Sequence, residues 1–142
     1  MSEQLPLLGM SHDEYKNTSP DKEQVNRVLV KAYVRVAEAW KLQNKDAAKM
    51  ISVDPQIWKQ IKMEKWNGTL KEDWLMHIRT AISLYEALHL NFGDDGTANR
   101  WITNPNDGPM FSGKEPFKVM LEGGLPAMTE TRDYVDALLA GL

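Results

Sequence analysis

The clearest chemistry in this sequence lies in one short segment. Asp54-Pro55 opens it, and Gln56, Lys59, Gln60 and Lys62 occupy its solvent-facing positions. Glutamine can pair bidentately with adenine, and lysine reaches guanine or phosphate. Lys45 and Lys49, one short helix earlier, are suited to backbone phosphates. That combination is the chemistry of DNA recognition. Catalytic constellations are harder to assemble. The chain contains no Cys and three His, which rules out thiolate zinc sites, iron–sulfur clusters and cysteine nucleophiles. His77 and His89 are twelve residues apart on one helix, a rise of roughly 18 Å, too far to share a metal. Asp94 and Asp95 sit in a Gly-Asp-Asp-Gly turn, where acids act as turn formers and caps. No Gly-x-Ser-x-Gly or phosphate-cradling glycine loop occurs. The expectation is a binding protein with no catalytic residue, cofactor or metal.

Composition agrees with that class. The 142 residues are 42% hydrophobic and 26% charged, the balance of a folded domain. No run of 18 apolar residues occurs, and residues 1–20 lack the apolar centre of a secretory signal, so a cytoplasmic protein without a membrane partner is expected. The net charge of −3 is unevenly spread. Residues 21–80 carry twelve Lys and Arg against eight acids, whereas residues 81–142 carry four against nine. A basic middle and an acidic last third suggest two surfaces for two kinds of partner.

Positioning those residues requires helices. Residues 1–20 hold Pro6, Gly9 and Pro20 with little periodicity and are expected to form a flexible arm. Val25, Val28, Leu29, Ala32, Val36, Ala39 and Trp40 then recur at three- and four-residue steps, predicting an amphipathic helix to about Leu42. A short helix over Lys45–Ile51, with Asn44 as its N-cap, leads through a tight turn at Ser52-Val53. A second short helix follows over Asp54–Trp66, with Pro55 at its first position. Ala48 lies where two such helices must approach closely, and Trp58 and Ile61 would anchor the second one. The pair reads as a helix–turn–helix, with Ser52 where glycine is most usual. Lys71–Asn91 is a further amphipathic helix. Beyond it come turns and helical pieces over Thr97–Thr103, Pro116–Glu122 and Met128–Ala140. No segment alternates in the manner of a strand, so the fold class is all-α. The module is only mildly basic, and a symmetric dimer on two half-sites is expected.

The last third carries a distinctive set of residues: Ala98, Trp101, Pro105, Asn106, Phe111, Gly113, Pro116, Leu121-Glu122-Gly123-Gly124, Arg132 and Tyr134. In these the chain resembles the toxin-binding domain of the Xre/MbcA/ParS-type antitoxins, departing from their pattern at Ser112 and Lys114. The resemblance implies an Xre-like helix–turn–helix and dimerisation domain over residues 21–91, then a small helical toxin-binding domain over 92–142. It also implies a RES-domain, NAD-consuming toxin as protein partner and operator DNA as the second. Phe111, Ser112, Lys114, Arg132, Asp133, Asp136, Leu139 and Leu142 are the expected toxin contacts. Trp101 is expected in the core. Two other readings are a stand-alone helix–turn–helix regulator with a C-terminal dimerisation or sensing domain, and a small hydrolase built on Asp94-Asp95.

Overall fold

The structure, a computed structural model, describes residues 21–141. The expected N-terminal arm and Leu142 lie outside the described residues. Six α-helices follow one another: α1 (Lys22–Ala39), α2 (Asn44–Met50), α3 (Pro55–Lys62), α4 (Glu72–Asn91), α5 (Asp95–Arg100) and α6 (Pro116–Leu139). A 3₁₀ turn, Trp101–Thr103, continues α5. There is no strand among the described residues, and their fold is all-α.

Helix α4 is the central element. It buries Trp74, Leu75, Ile78, Ala81, Leu84, Ala87 and Leu88 and packs on α6, α1 and α5. Helix α6 also touches α2. As a result Ala98, Ile102, Met120, Met128 and Val135 join the same buried cluster as Val30, Tyr33 and Trp58. One apolar core thus runs through the stretches 21–91 and 92–141.

Helix α1 keeps part of the face its periodicity predicts, with Val36 and Trp40 buried and Leu29 packed on the core, and is rotated away from the rest of it. Val30, Tyr33, Val36, Ala37 and Trp40 face the core, whereas Val25 and Val28 are exposed and Ala32 is half-buried. Tyr33 decides the rotation, because its hydroxyl donates to the Ala47 carbonyl at 2.7 Å and fixes that side of α1 over α2.

Three helix ends share one device. Lys41, Ser52 and Glu64 take left-handed backbone, with φ of 56°, 63° and 58°. Behind each, the next N–H reaches back into the helix: Leu42 to Ala37, Val53 to Ala48 and Lys65 to Gln60, at 3.0, 3.0 and 2.9 Å. This is the Schellman closure that glycine usually supplies. It moves two expected boundaries, since α1 stops at Ala39 and not near Leu42, and α3 stops at Lys62 and not at Trp66.

The two pieces expected over Pro116–Glu122 and Met128–Ala140 are the two limbs of α6, two helices that meet at a break where Gly124 adopts φ 70° and ψ −154°. Pro126 follows the break, at a position where its missing N–H is tolerated.

Candidate nucleic-acid interface and C-terminal docking face

The α2–α3 unit is built from the inside out. Ala47 and Ala48 are fully buried between the helices, and only side chains that small allow the approach. Trp58 lies edge-on to Tyr33, with ring centroids 5.5 Å apart. Burial pushes the Tyr33 phenol well above its ordinary range, so it stays a protonated donor to Ala47. Asp54 is the N-cap of α3 and accepts from the Gln56 N–H at 2.8 Å, with Pro55 behind it.

Asn44 has a different role from the cap its position predicts. Gln43 is the N-cap residue of α2, and Asn44 is the first helical residue. Its side-chain oxygen instead accepts from Trp58 Nε1 at 3.3 Å and from Lys62 Nζ at 3.0 Å. Asn44 therefore ties α2 to α3 from outside the apolar contact, a role that no local sequence signal announces.

The outward face of α3 follows from that anchoring. Trp58 and Ile61 are buried, and Gln56, Lys59, Gln60 and Met63 are exposed at steps of three and four residues. Lys62 is exposed too, but it projects from the flank and its ammonium is engaged by Asn44. Lys45 and Lys49 are exposed on α2. Lys45 also borders a cleft of about 420 Å³ between the α1–α2 turn and the start of α6, with Lys41, Phe117, Lys118 and Leu121. Five of the six predicted DNA-facing side chains are thus exposed with no partner among the described residues, and the sixth is diverted.

The C-terminal face behaves differently. The loop between the 3₁₀ turn and α6 is drawn closed by Asn106 N–H to Lys114 O at 3.0 Å and Gly113 N–H to Asn106 O at 2.7 Å. Ser112 and Gly113 cross left-handed backbone at φ 51° and 85°. This geometry folds Phe111 inward. Phe111 is 1% exposed, edge-on to Trp101 at 5.7 Å and to Tyr134 at 5.3 Å. The expectation that Phe111 contacts a partner is therefore corrected: it is the plug of the loop, and Trp101 is the half-buried ring above it. Gly108 is needed here because a Cβ would stand 2.8 Å from the Tyr134 hydroxyl.

The other predicted contacts on this half fall on one helix limb or beside the loop. Ser112 and Lys114 are exposed, and Lys114 lies 3.6 Å from Glu122. On the second limb of α6, Met128, Thr131 and Val135 are buried. Asp133, Asp136, Leu138 and Leu139 are exposed. Arg132 sits between the acids, 3.2 Å from Asp133 and 3.9 Å from Asp136. Val135 belongs to this chain's own core, while Leu138 and Leu139 do not.

The two described histidines, His77 and His89, are structural in their surroundings, and His12 lies outside the described residues. His77 is buried on α4, with Nδ1 2.7 Å from the Asp73 carbonyl. His89 bridges Asp95 at 3.1 Å and Asn99 at 2.8 Å while resting on Tyr85. It pins α5 to the end of α4, a link the sequence analysis missed because its partners are six and ten residues away across a turn. Asp94 caps α5 by accepting from both the N–H and the hydroxyl of Thr97. These bonds hold its carboxyl below the usual aspartate range. Among the described residues, no three His, Cys, Asp or Glu side chains converge on a metal-sized site. No helix there is long and apolar enough to cross a membrane.

No family model matches the chain. It is similar to the uncharacterized protein y4oB of Sinorhizobium fredii, 30% identical over 112 residues that span 79% of this chain and 84% of that protein.

Proposed function

We propose that this chain, which belongs to the same family as y4oB of Sinorhizobium fredii, is the antitoxin of a type II toxin–antitoxin module. In this reading it is a cytoplasmic, non-enzymatic binding protein with two working surfaces. The α2–α3 unit acts as a helix–turn–helix on the operator of its own operon. The C-terminal segment blocks the active site of a RES-domain toxin that consumes NAD. The chain self-associates so that two α3 helices can meet two half-sites.

The observation that carries the reading is the disposition of α3. Its apolar residues and Asn44 fix it rigidly to α2, and Gln56, Lys59 and Gln60 are left outward on one face. Replacing Lys45 or Lys49 should weaken binding to every duplex and flatten its salt dependence. Replacing Gln56 or Gln60 should cost about 1–3 kcal/mol at one base position and relax specificity there. Lys62→Ala should act mainly on stability, through Asn44. Electrophoretic titration on the upstream DNA and on a scrambled duplex separates these classes. If all substitutions behave alike, the reading face is misplaced.

The toxin half rests on the resemblance of residues 98–134 and on the acidic, apolar-tipped second limb of α6. A cleft that binds the pyrophosphate of NAD should be basic, and Asp133 and Asp136 beside Leu139 complement it. Val135 is buried, so shortening the helix would damage the core, and point substitutions are the proper test. Asp133→Arg with Leu139→Asp should abolish protection in an NAD-depletion assay with the co-expressed toxin, while the helical circular dichroism stays unchanged. Retained protection would argue for the second reading, a stand-alone helix–turn–helix regulator. The burial of Phe111 favours that reading to the extent that it removes one expected toxin contact.

A further inference from the structure

Helix α1 begins with two turns that touch the rest of the described fold on one side only, where Leu29 packs partly on the core and Glu23 and Arg27 line a cleft with Trp66 and Leu70. From Lys22 to Leu29 no residue is buried, and Val25 and Val28 are 44% and 65% exposed. A helical segment this short is marginal on its own propensity. Here the Asp21 cap on Gln24 N–H and the Glu23–Arg27 ion pair support it. Those local bonds do not explain why valines occupy its outer side.

The exposed side has an order. Asp21, Val25, Val28, Ala32 and Arg35 follow at steps of four, three, four and three. At 100° per residue they fall within an arc of roughly 80°. This stripe is acidic at one end, apolar in the middle and basic at the other end. It borders the core-facing set Val30, Tyr33, Val36, Ala37 and Trp40 along Val36 and is otherwise separate from it.

We infer that this stripe is the seam between two copies of the chain, with α1 antiparallel to α1 about a two-fold axis at Val28. The inference rests on the self-association proposed above and adds its surface and register. The charge pattern selects both the occupant and the orientation. With the axis at Val28, Asp21 of one copy stands opposite Arg35 of the second, Val28 stands opposite itself, and Val25 lies within one residue's rise, about 1.5 Å, of Ala32. A parallel pairing would set Asp21 against Asp21 and Arg35 against Arg35. An unrelated partner has no reason to match an acid-apolar-base order that is complementary to its own reverse. A two-fold contact requires that self-complementarity.

The sequence makes the register directly testable, because the chain contains no cysteine. Helices packed at roughly 8–10 Å, with Cα atoms on radii of about 2.3 Å, bring facing Cα atoms within disulfide reach. The full-length Val28→Cys variant should therefore form a disulfide-linked dimer nearly completely under mild oxidation. Leu90→Cys, equally free in solvent at 74% exposure on α4, should not. By sedimentation equilibrium, Arg35→Glu should raise the dimer dissociation constant at least about tenfold, and Arg35→Lys should leave it nearly unchanged. Wild-type protein that remains monomeric at 100 µM or so would overturn the inference together with the self-association beneath it. A stable dimer whose Val28→Cys form links no faster than Leu90→Cys would overturn this surface alone.

Discussion

The α2–α3 unit and the loop–α6 half solve opposite problems with similar residues. In the first, the polar side chains that periodicity places outside are outside, and the aromatic one, Trp58, is inside against Tyr33 of α1. In the second, an aromatic ring flanked by turn residues lies inside against expectation, and the aliphatic side chains near the end of α6 are divided. Val135 is core, whereas Leu138 and Leu139 are free. The difference is one of local constraint. A short helix fixes which residues share a face. A closed loop aims its side chains through backbone angles that depend on distant hydrogen bonds, here Asn106 to Lys114 and Gly113.

That contrast is broken most forcefully at Phe111. Phe111→Ala empties the space between Trp101 and Tyr134 and should cost about 3–5 kcal/mol in urea unfolding. Gln56→Ala, on the outward face of α3, should stay within about 0.5 kcal/mol of wild type. Equal effects would mean that the loop is not a packed part of the core.

Gly108→Ala comes next, with an expected loss of about 1–3 kcal/mol, because its methyl group meets the Tyr134 hydroxyl. Adding Tyr134→Phe removes one of the two obstructing oxygens, the other being Asn106 Oδ1 at 2.9 Å, and should recover part of that loss. A double variant no more stable than Gly108→Ala would place the strain elsewhere.

On the other side of the comparison, Ser52→Gly should stabilise the protein by up to about 1 kcal/mol. It relieves left-handed strain at the α2–α3 turn, partly offset by the greater freedom of glycine in the unfolded chain. DNA affinity should follow unchanged if the turn only shapes the unit. A lower thermal midpoint for Ser52→Gly would mean that the serine side chain contributes more than its backbone costs.

The smallest effect concerns pH. Asp94 has a lowered pKa in the folded chain, so its cap is fully stabilising above the ordinary aspartate range and is lost as pH falls through the depressed value. The difference in thermal midpoint between wild type and Asp94→Ala should therefore be constant near neutrality and shrink in acid. A difference that grows in acid would contradict the assignment.

What could be read in the sequence follows the same division. The helical class, the Asp54-Pro55 start, the turn at Ser52 and the outward glutamines of α3 are short-range features, set by caps and three- and four-residue steps. The ends of α1 and α3 were hidden because Lys41 and Glu64 occupy positions where the eye looks for glycine. The core face of α1 is only half legible, because Val25 and Val28 extend the stripe of Val36 and Trp40 while a tyrosine hydrogen bond to α2 turns Tyr33 and Val30 inward. The roles of Asn44, Phe111 and His89 depend on partners brought near by tertiary folding, which no spacing reveals.

In the proposed function, DNA reading and toxin blocking occupy separable surfaces of one small helical protein. NAD depletion by the co-expressed toxin, measured with two full-length variants, tests it most directly. Gln56→Ala/Gln60→Ala should protect NAD as fully as wild type, and Asp133→Arg/Leu139→Asp should fail to protect it although equally well folded. Equal protection by both variants, or equal loss in both, would contradict the account.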